Sequence, residues 1–302
     1  MQKNSKLPAG KPAQVIEELR PGQSIELLKE LHILTREGKL NQDTRRKLKQ
    51  VYHLYQFIEP LLNEVNEVSA SGKGFTLADH GAGKSYLGFI LYDLFFNVAH
   101  AGKPPTGHIY GIETRAELVE KSRALAARLG FANMSFLNLS VQEATTSAEL
   151  PAQVDIVTAL HACDTATDDA IAFGLAKQAR HMVLVPCCQA EVAGVLKKHR
   201  ALNLNKSALA ELWRHPLHTR EFGSQITNVL RCLQLEANGY QVTVTELVGW
   251  EHSMKNELIL ASRPAAPSPH KTRAAQARLQ QVLDELGLQD LTTRFAVAAG
   301  LS

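Results

Sequence analysis

A chain of 302 residues, 45% hydrophobic and 21% charged, has the composition of a soluble globular protein and the length to bury a full core. Its formal net charge of +3 is too small to imply a nucleic-acid partner by itself, and four cysteines (Cys163, Cys187, Cys188, Cys232) do not make a secreted disulfide framework. No apolar run approaches the roughly 18–20 residues needed to span a bilayer, and "MQKNSKLPAGKPAQ" lacks the apolar core of a secretion signal, so a cytoplasmic protein without membrane contact is expected.

Residues 1–12 are polar, and 13–40 read as one or two short helices broken at "RPGQS". Asn41–Val68 reads as a long helix, because Leu48, Val51, Tyr55, Ile58, Leu62 and Val65 recur in steps of three and four on one face, with Asp43 or Thr44 as N-cap. "SASGKG" (69–74) ends that helix. Strands and helices then alternate: strands over 75–79, 108–113, 134–139, 154–160 and 181–186, helices over 84–99, 116–129 and 166–178. A helix over about 221–238 precedes two further strands, "YQVTVTELV" and "ELILASR", which the short link "GWEHSMKN" joins as a hairpin. "RPAAPSPH" (263–270) reads as a linker and 271–287 as a terminal amphipathic helix. The expected fold is α/β: a doubly wound, seven-stranded, mostly parallel sheet, Rossmann-like, with an N-terminal helical extension. The expected divisions are 1–72, 73–263 and 264–302.

Between residues 196 and 231 seven basic residues (Lys197, Lys198, Arg200, Lys206, Arg214, Arg220, Arg231) face only Glu211 and Glu221. Such a basic insert is either a solvated helix face or a surface for an anionic substrate. Trp213 within it offers an anchor for the insert or a ring to stack on a base.

"LADHGAGKSYLG" (77–88) invites comparison with a nucleotide phosphate loop, but Ala78 stands where the first glycine is required. Asp155, at the start of the fourth strand, is at the wrong end to manage magnesium. Read instead as a strand ending in Asp79, followed by Gly81-x-Gly83 opening a helix, the stretch lets a ligand approach the backbone closely. Glu113 then ends the second strand, where an acidic side chain binds ribose hydroxyls. A dinucleotide loop would want a third glycine where Tyr86 stands, so S-adenosylmethionine is the better fit.

At these residues the chain resembles a class I S-adenosylmethionine-dependent methyltransferase. Three segments, "ALHACDTATDDAI" (159–171), "VPCCQ" (185–189) and "EHSMKNELILASR" (251–263), are similar to a cysteine-bearing branch that includes the acceptor-stem tRNA 2′-O-methyltransferase and methyltransferase-like relatives. "RRKLKQV" (45–51) resembles the lysine-rich helix ahead of that branch's cofactor loop. The resemblance spans about 44–263. It implies that Asp79, Gly81 and Gly83 form the methionine-side loop, that Glu113 binds the ribose, and that Ser140 and Gln142 border the adenine. Ser85 replaces a frequent third loop glycine, and the usual acidic residue after the third strand is missing.

The candidate catalytic residues follow the fourth strand (His161, Cys163, Asp164) and the fifth (Cys187, Cys188). Four readings stay open: inert cysteine packing; an acceptor pocket with His161 or Asp164 taking a proton; a zinc site; or a nucleophilic cysteine. No metal is assigned. His252, Lys255 and Asn256 form a polar hairpin or contact the substrate, with Lys255 meeting a phosphate. Lys47, Lys49 and Gln50 form a solvated face or a lid over the cofactor, and His80 reads as a loop histidine. The expected function is methyl transfer from S-adenosylmethionine with RNA as the favoured acceptor. A small-molecule or protein methyltransferase, or a cofactor-binding module without turnover, stands as the alternative.

Overall fold

The computed structural model describes residues 17–68, 74–160, 164–186, 189–201, 208–247 and 257–297. The N-terminal region holds one short helix, α1 (Ile25–Glu30), capped by Ser24, whose Oγ accepts from the Leu27 amide at 3.2 Å. Turns lead to α2 (Gln42–Val68), and its predicted apolar stripe is the buried face, from Leu48 through Val65. The cap differs from expectation. Asn41 supplies it: Oδ1 accepts from the Thr44 amide at 2.9 Å, while Thr44 Oγ1 accepts from the Asn41 amide at 2.7 Å. Thr44 is thus the reciprocal partner inside the first turn.

The alternating part follows as β1 (Phe75–His80), α3 (Tyr86–Tyr92), β2 (Gly107–Ile112), α4 (Ala116–Leu129), β3 (Met134–Leu137) and α5 (Val141–Thr146). It continues through β4 (Ile156–Leu160), α6 (Ala166–Ala176), β5 (His181–Val185), α7 (Glu191–Ala201) and α8 (Pro216–Ala237). The chain closes with β6 (Gln241–Glu246), β7 (Glu257–Ser262) and α9 (Pro269–Glu285). One seven-stranded sheet results, ordered β3-β2-β1-β4-β5-β7-β6. Neighbours from β3 to β5 pair in parallel, and β7 runs antiparallel to both β5 and β6. The predicted antiparallel closure is therefore present, while the links at 69–73 and 249–256 lie outside the described residues.

Alternate residues of each strand feed two separate cores. Leu77, Ile156, Val183 and Leu258 face one layer with α1–α4, whereas Ala78, Val157, Met182 and Ile259 face the other with α5, α6 and α8. Beyond α3 the helix widens into π turns over Asp93–Ala99, where a single α-helix was expected. Buried Asp93 accepts from the Ser24 amide with both carboxylate oxygens (3.2 and 3.1 Å) and from Asn97 Nδ2 at 3.0 Å, so this turn ties the N-terminal extension to the sheet domain.

A third cluster joins α7, a 3-10 turn (Ala208–Trp213), α8 and α9 through Val192, Leu196, Trp213, Leu230, Leu279 and Leu283. Of the two readings of Trp213 the anchor holds, and one expectation for the basic segment changes. Trp213 is fully buried, stacked on Phe222 with ring centroids 5.3 Å apart, and is an anchor with no face left for a base. Arg231 is also fully buried, paired with Asp168, so it adds nothing to a surface for anions. Arg214 and Arg220 pair with the segment's two acids, Glu211 and Glu221, at 3.0 and 2.8 Å. Lys197 and Lys198 are exposed on α7.

Truncating the Trp213 ring empties the centre of this third cluster. Trp213→Ala is expected to cost about 3–5 kcal/mol, measured as a shift of the urea unfolding midpoint.

Candidate functional site

Sheet order reverses direction between β1 and β4, so the carboxyl ends of these strands open a crevice at the topological switch point. Asp79 stands in it at the end of β1. Its carboxyl is buried, with Oδ1 accepting from Thr158 Oγ1 at 2.8 Å across the strand pair. Burial pushes its pKa up to about 6, although the Thr158 hydroxyl and the Gly88 amide pull the other way. His80 is buried beside Phe173, with ring centroids 5.6 Å apart and, among the described residues, no hydrogen-bond partner on either ring nitrogen. Burial lowers its pKa to about 4, which keeps the imidazole neutral.

The following loop turns through Gly81 (φ +64°) and Gly83 (φ +57°), backbone angles that L side chains adopt at a cost. Ser85 adopts one too (φ +50°) in the place of the frequent third glycine. Among the described residues its buried hydroxyl has no partner, and it sits in space left by two other glycines: a Cβ at Gly88 would lie 2.8 Å from it and one at Gly111 3.1 Å. The serine is thus accommodated by missing side chains on α3 and β2.

Glu113, just past β2, gathers the donors of this loop. Oε2 accepts from the Gly83 amide at 2.8 Å and Arg115 Nη2 at 3.2 Å; Oε1 accepts from the Arg115 amide and Nε, both at 3.0 Å. Burial pushes the carboxyl pKa up, but these hydrogen bonds and the guanidinium charge outweigh it and hold the group ionised, at about 2. Glu113 is therefore a fixed anion with strong acceptor oxygens, the chemistry a pair of ribose hydroxyls requires. The turning glycines beside it leave backbone open to a ligand. A nucleoside cofactor fits this set.

Ser140 and Gln142 flank the far side of the crevice, at the start of α5. Ser140 caps that helix, its amide and hydroxyl donating to Glu143 Oε2 at 2.8 and 2.7 Å, and Gln142 is exposed. On the other side Asp164 also adopts a positive φ (+50°), and its Oδ1 accepts from the Ala190 and Glu191 amides at 2.8 and 3.4 Å. It caps α7 from a different loop. His161, Cys163, Cys187, Cys188, His252, Lys255 and Asn256 lie outside the described residues. Cys232, the remaining cysteine, is on α8, and burial pushes its thiol up to about 12. Asp155, at the opposite end of the sheet, accepts from the Thr76 amide at 2.7 Å and has no part in the crevice.

A cavity of about 330 Å³ opens beside Asp79 and Ala82. Its walls are largely apolar: Leu31 and the α2 residues Val51 and Leu54 above, and Leu87, Leu160 and Leu247 below. Lys47, Gln50 and Tyr86 also line it, so α2 covers the cavity, whereas Lys49 is exposed elsewhere on the helix. The sequence reading missed these apolar walls because Leu31 and Leu247 come from opposite ends of the chain.

Residues 46–195 match a protein family described as a methyltransferase domain. No curated protein matches the chain. Among solved structures, the chain is similar to magnesium protoporphyrin IX methyltransferase from Synechocystis with bound SAH (16% identity, 79% of this chain and 93% of that one, TM-score 0.43). It is similar also to an rRNA methylase from Streptococcus thermophilus (8% identity, 68% and 92%, TM-score 0.39). A methyltransferase from Podospora anserina matches at 9% identity over 80% of this chain and 87% of that one, with a TM-score of 0.42.

Two outcomes are expected from the loop geometry. Ser85→Gly removes a left-handed side chain and an unpaired buried hydroxyl, and should stabilise the protein by about 1 kcal/mol, read as a rise in Tm. Glu113 has a depressed folded pKa, so its stabilising contribution is complete above the ordinary value of 4.5 and is lost as pH falls through about 2. The stability gap between wild type and Glu113→Gln should hold from neutral pH to about 5 and then close on acidification, as followed by denaturant unfolding.

Proposed function

We propose that the chain is a class I S-adenosylmethionine-dependent methyltransferase, a reading supported by the methyltransferase-domain match over residues 46–195, and that it methylates a small acceptor whose apolar body enters the cavity under α2. The observation that carries this reading is the cavity itself, about 330 Å³ with leucines and a valine on most of its wall. Its position agrees. Asp79 and Ala82, from the loop assigned to the methionine end, line it together with Leu160 of β4, so an acceptor in it would adjoin the methyl-bearing end of the cofactor.

S-adenosylmethionine supplies a methyl group on a sulfonium, open to in-line attack. In this reading Glu113 holds the ribose hydroxyls, the Gly81–Gly83 turn gives the methionine end close approach to the backbone, and Asp79 accepts from the amino group. Ser140 and Gln142 border the adenine. The apolar walls exclude water and fix the angle of approach, which is the larger part of catalysis in such a transfer. A proton released by a hydroxyl acceptor would pass to a group that follows β4 in the chain, for which His161 and Asp164 are the candidates. Lys47, at the cavity wall, suits an acceptor with one anionic group.

RNA is the second reading. It is favoured by the exposed Lys197 and Lys198 and by the likeness of 159–171, 185–189 and 251–263 to the acceptor-stem branch. It is weakened by the burial of Trp213 and Arg231. With isotopically labelled S-adenosylmethionine and fractionated cell extract, label should enter the low-molecular-mass fraction. Label entering RNA, suppressed steeply by salt, would overturn the small-acceptor reading. For the cofactor, calorimetry should show Glu113→Ala weakening S-adenosylmethionine binding by roughly 10- to 100-fold, as for lost hydrogen bonds to a charged group.

A further inference from the structure

At the amino-terminal edge of the parallel strands, opposite the crevice, lies a second recess that the proposed chemistry does not use. Arg180 directly precedes β5 and Arg263 directly follows the antiparallel β7, so the pairing of His181 with Ser262 brings the two arginines together at this edge. The Arg263 amide donates to the Arg180 carbonyl at 2.8 Å, which carries the ladder one step further and fixes both backbones. A cavity of about 350 Å³ opens there, lined by Gln178, Arg180, Arg263, Pro264, Ala265 and Pro267. Its size is that of a small-molecule site.

Charge in the recess is one-sided. No acidic side chain is among the described residues that line it. Arg180 Nη2 donates to Glu64 of α2, while its Nε and Nη1 have no partner among the described residues. The half-buried Arg263 guanidinium has neither a hydrogen bond nor an ion pair among them. Its charge acts on the Tyr240 hydroxyl, which burial keeps neutral and which donates to the Ala179 carbonyl. Gln178 Oε1 accepts from Gln153 Nε2 at 3.2 Å, so Gln178 Nε2 remains a donor. Asp155, also at this edge, is taken up by the amide and hydroxyl of Thr76. A solvated arginine on an open face would have no walls, but here they are stiff. Pro264 and Pro267 have fixed φ angles, and Pro267 packs so closely under Gly239 that a Cβ there would lie 3.1 Å from the Pro267 Cβ. A recess formed in advance loses little freedom when a ligand enters.

We propose that this recess binds the phosphate group of a small phosphorylated molecule, at a site separate from the crevice. Phosphate suits it better than carboxylate. Tetrahedral oxygens accept from two guanidinium planes and an amide at once, whereas a carboxylate presents a single plane. A nucleic-acid backbone calls for a track of cations along a surface, and this recess gathers its two arginines at one point. Glu64 is the internal rival for Arg180. The site stands whatever the crevice binds.

Calorimetric titration of the full chain in a phosphate-free buffer, with glycerol 3-phosphate as the probe, tests it. The wild type should bind the probe saturably at one site, and saturating S-adenosylhomocysteine should leave that binding unchanged. Arg263→Gln should weaken it by roughly 10- to 100-fold, as for lost hydrogen bonds to a charged group. Arg263→Lys keeps the charge without the fork and should fall between the two. Glu64→Gln should tighten binding by about 2- to 5-fold, because it frees Arg180 from an exposed ion pair. S-adenosylhomocysteine affinity should be the same in Arg263→Gln as in the wild type. Absence of probe binding by the wild type, or equal binding by wild type and Arg263→Gln, would overturn the proposal. An RNA oligonucleotide that displaces the probe and binds more tightly through Arg263 would overturn it too, in favour of a nucleic-acid surface. Failure of the wild type to bind S-adenosylhomocysteine would instead strike the function reading and leave the phosphate site standing.

Discussion

A carboxyl group buried at the end of β1 sets the terms for the rest of the molecule. Asp79 has been taken out of water with one side-chain hydroxyl, Thr158, facing it across the β1–β4 pair. Such a group is tolerable only where neighbours supply donors. Here the donors come from the opening of α3 and from the adjacent parallel strand, so the pairing of β1 with β4 and the turn into α3 are required together. The crevice at the strand ends is the product of that pairing, and the elements that bear on ligands are arranged around it.

The N-terminal extension shares a core with the sheet. Leu27, Leu48, Tyr55 and Ile58 belong to the same apolar cluster as Phe75, Phe89 and Ile156. The Asp93 carboxylate bonded to the Ser24 amide fixes its entry point. Because α2 is held this way along its buried face, the edge of that face can line the cavity, Lys47 and Gln50 beside Val51 and Leu54, without becoming a loose flap. The C-terminal helix plays a comparable part behind the sheet, where α9 packs on α8 and Arg294 pairs with Glu191 of α7 at 3.1 Å.

What was legible in the sequence follows the range of the interactions. The α2 face and all seven strands depend on local periodicity, and their bounds fall within one or two residues of expectation. Helix α5 was legible but passed over: Ser140-x-x-Glu143 is a capping box written in the sequence. Helix α7 was not legible, because the side chain that caps it belongs to Asp164 in a different loop. Arg231 illustrates the same limit. Counting charges assigns it to a basic surface, and only the approach of Asp168 from α6 turns it inward. The cavity walls are further still from local pattern, as are the two glycines that make room for Ser85.

The carboxylate of Glu113 is already satisfied, by the Gly83 amide of the loop and by Arg115. A ribose that binds there must replace partners the protein itself provides. If Glu113 holds the ribose as proposed, the Gly83 amide and Arg115 are internal competitors, and part of the intrinsic affinity goes to displacing them. The same contact keeps a charged group from standing bare between turnovers. In the proposed role of Glu113, arrival of the nucleoside and departure of the spent cofactor would be exchanges of hydrogen bonds with the Gly83 amide and Arg115.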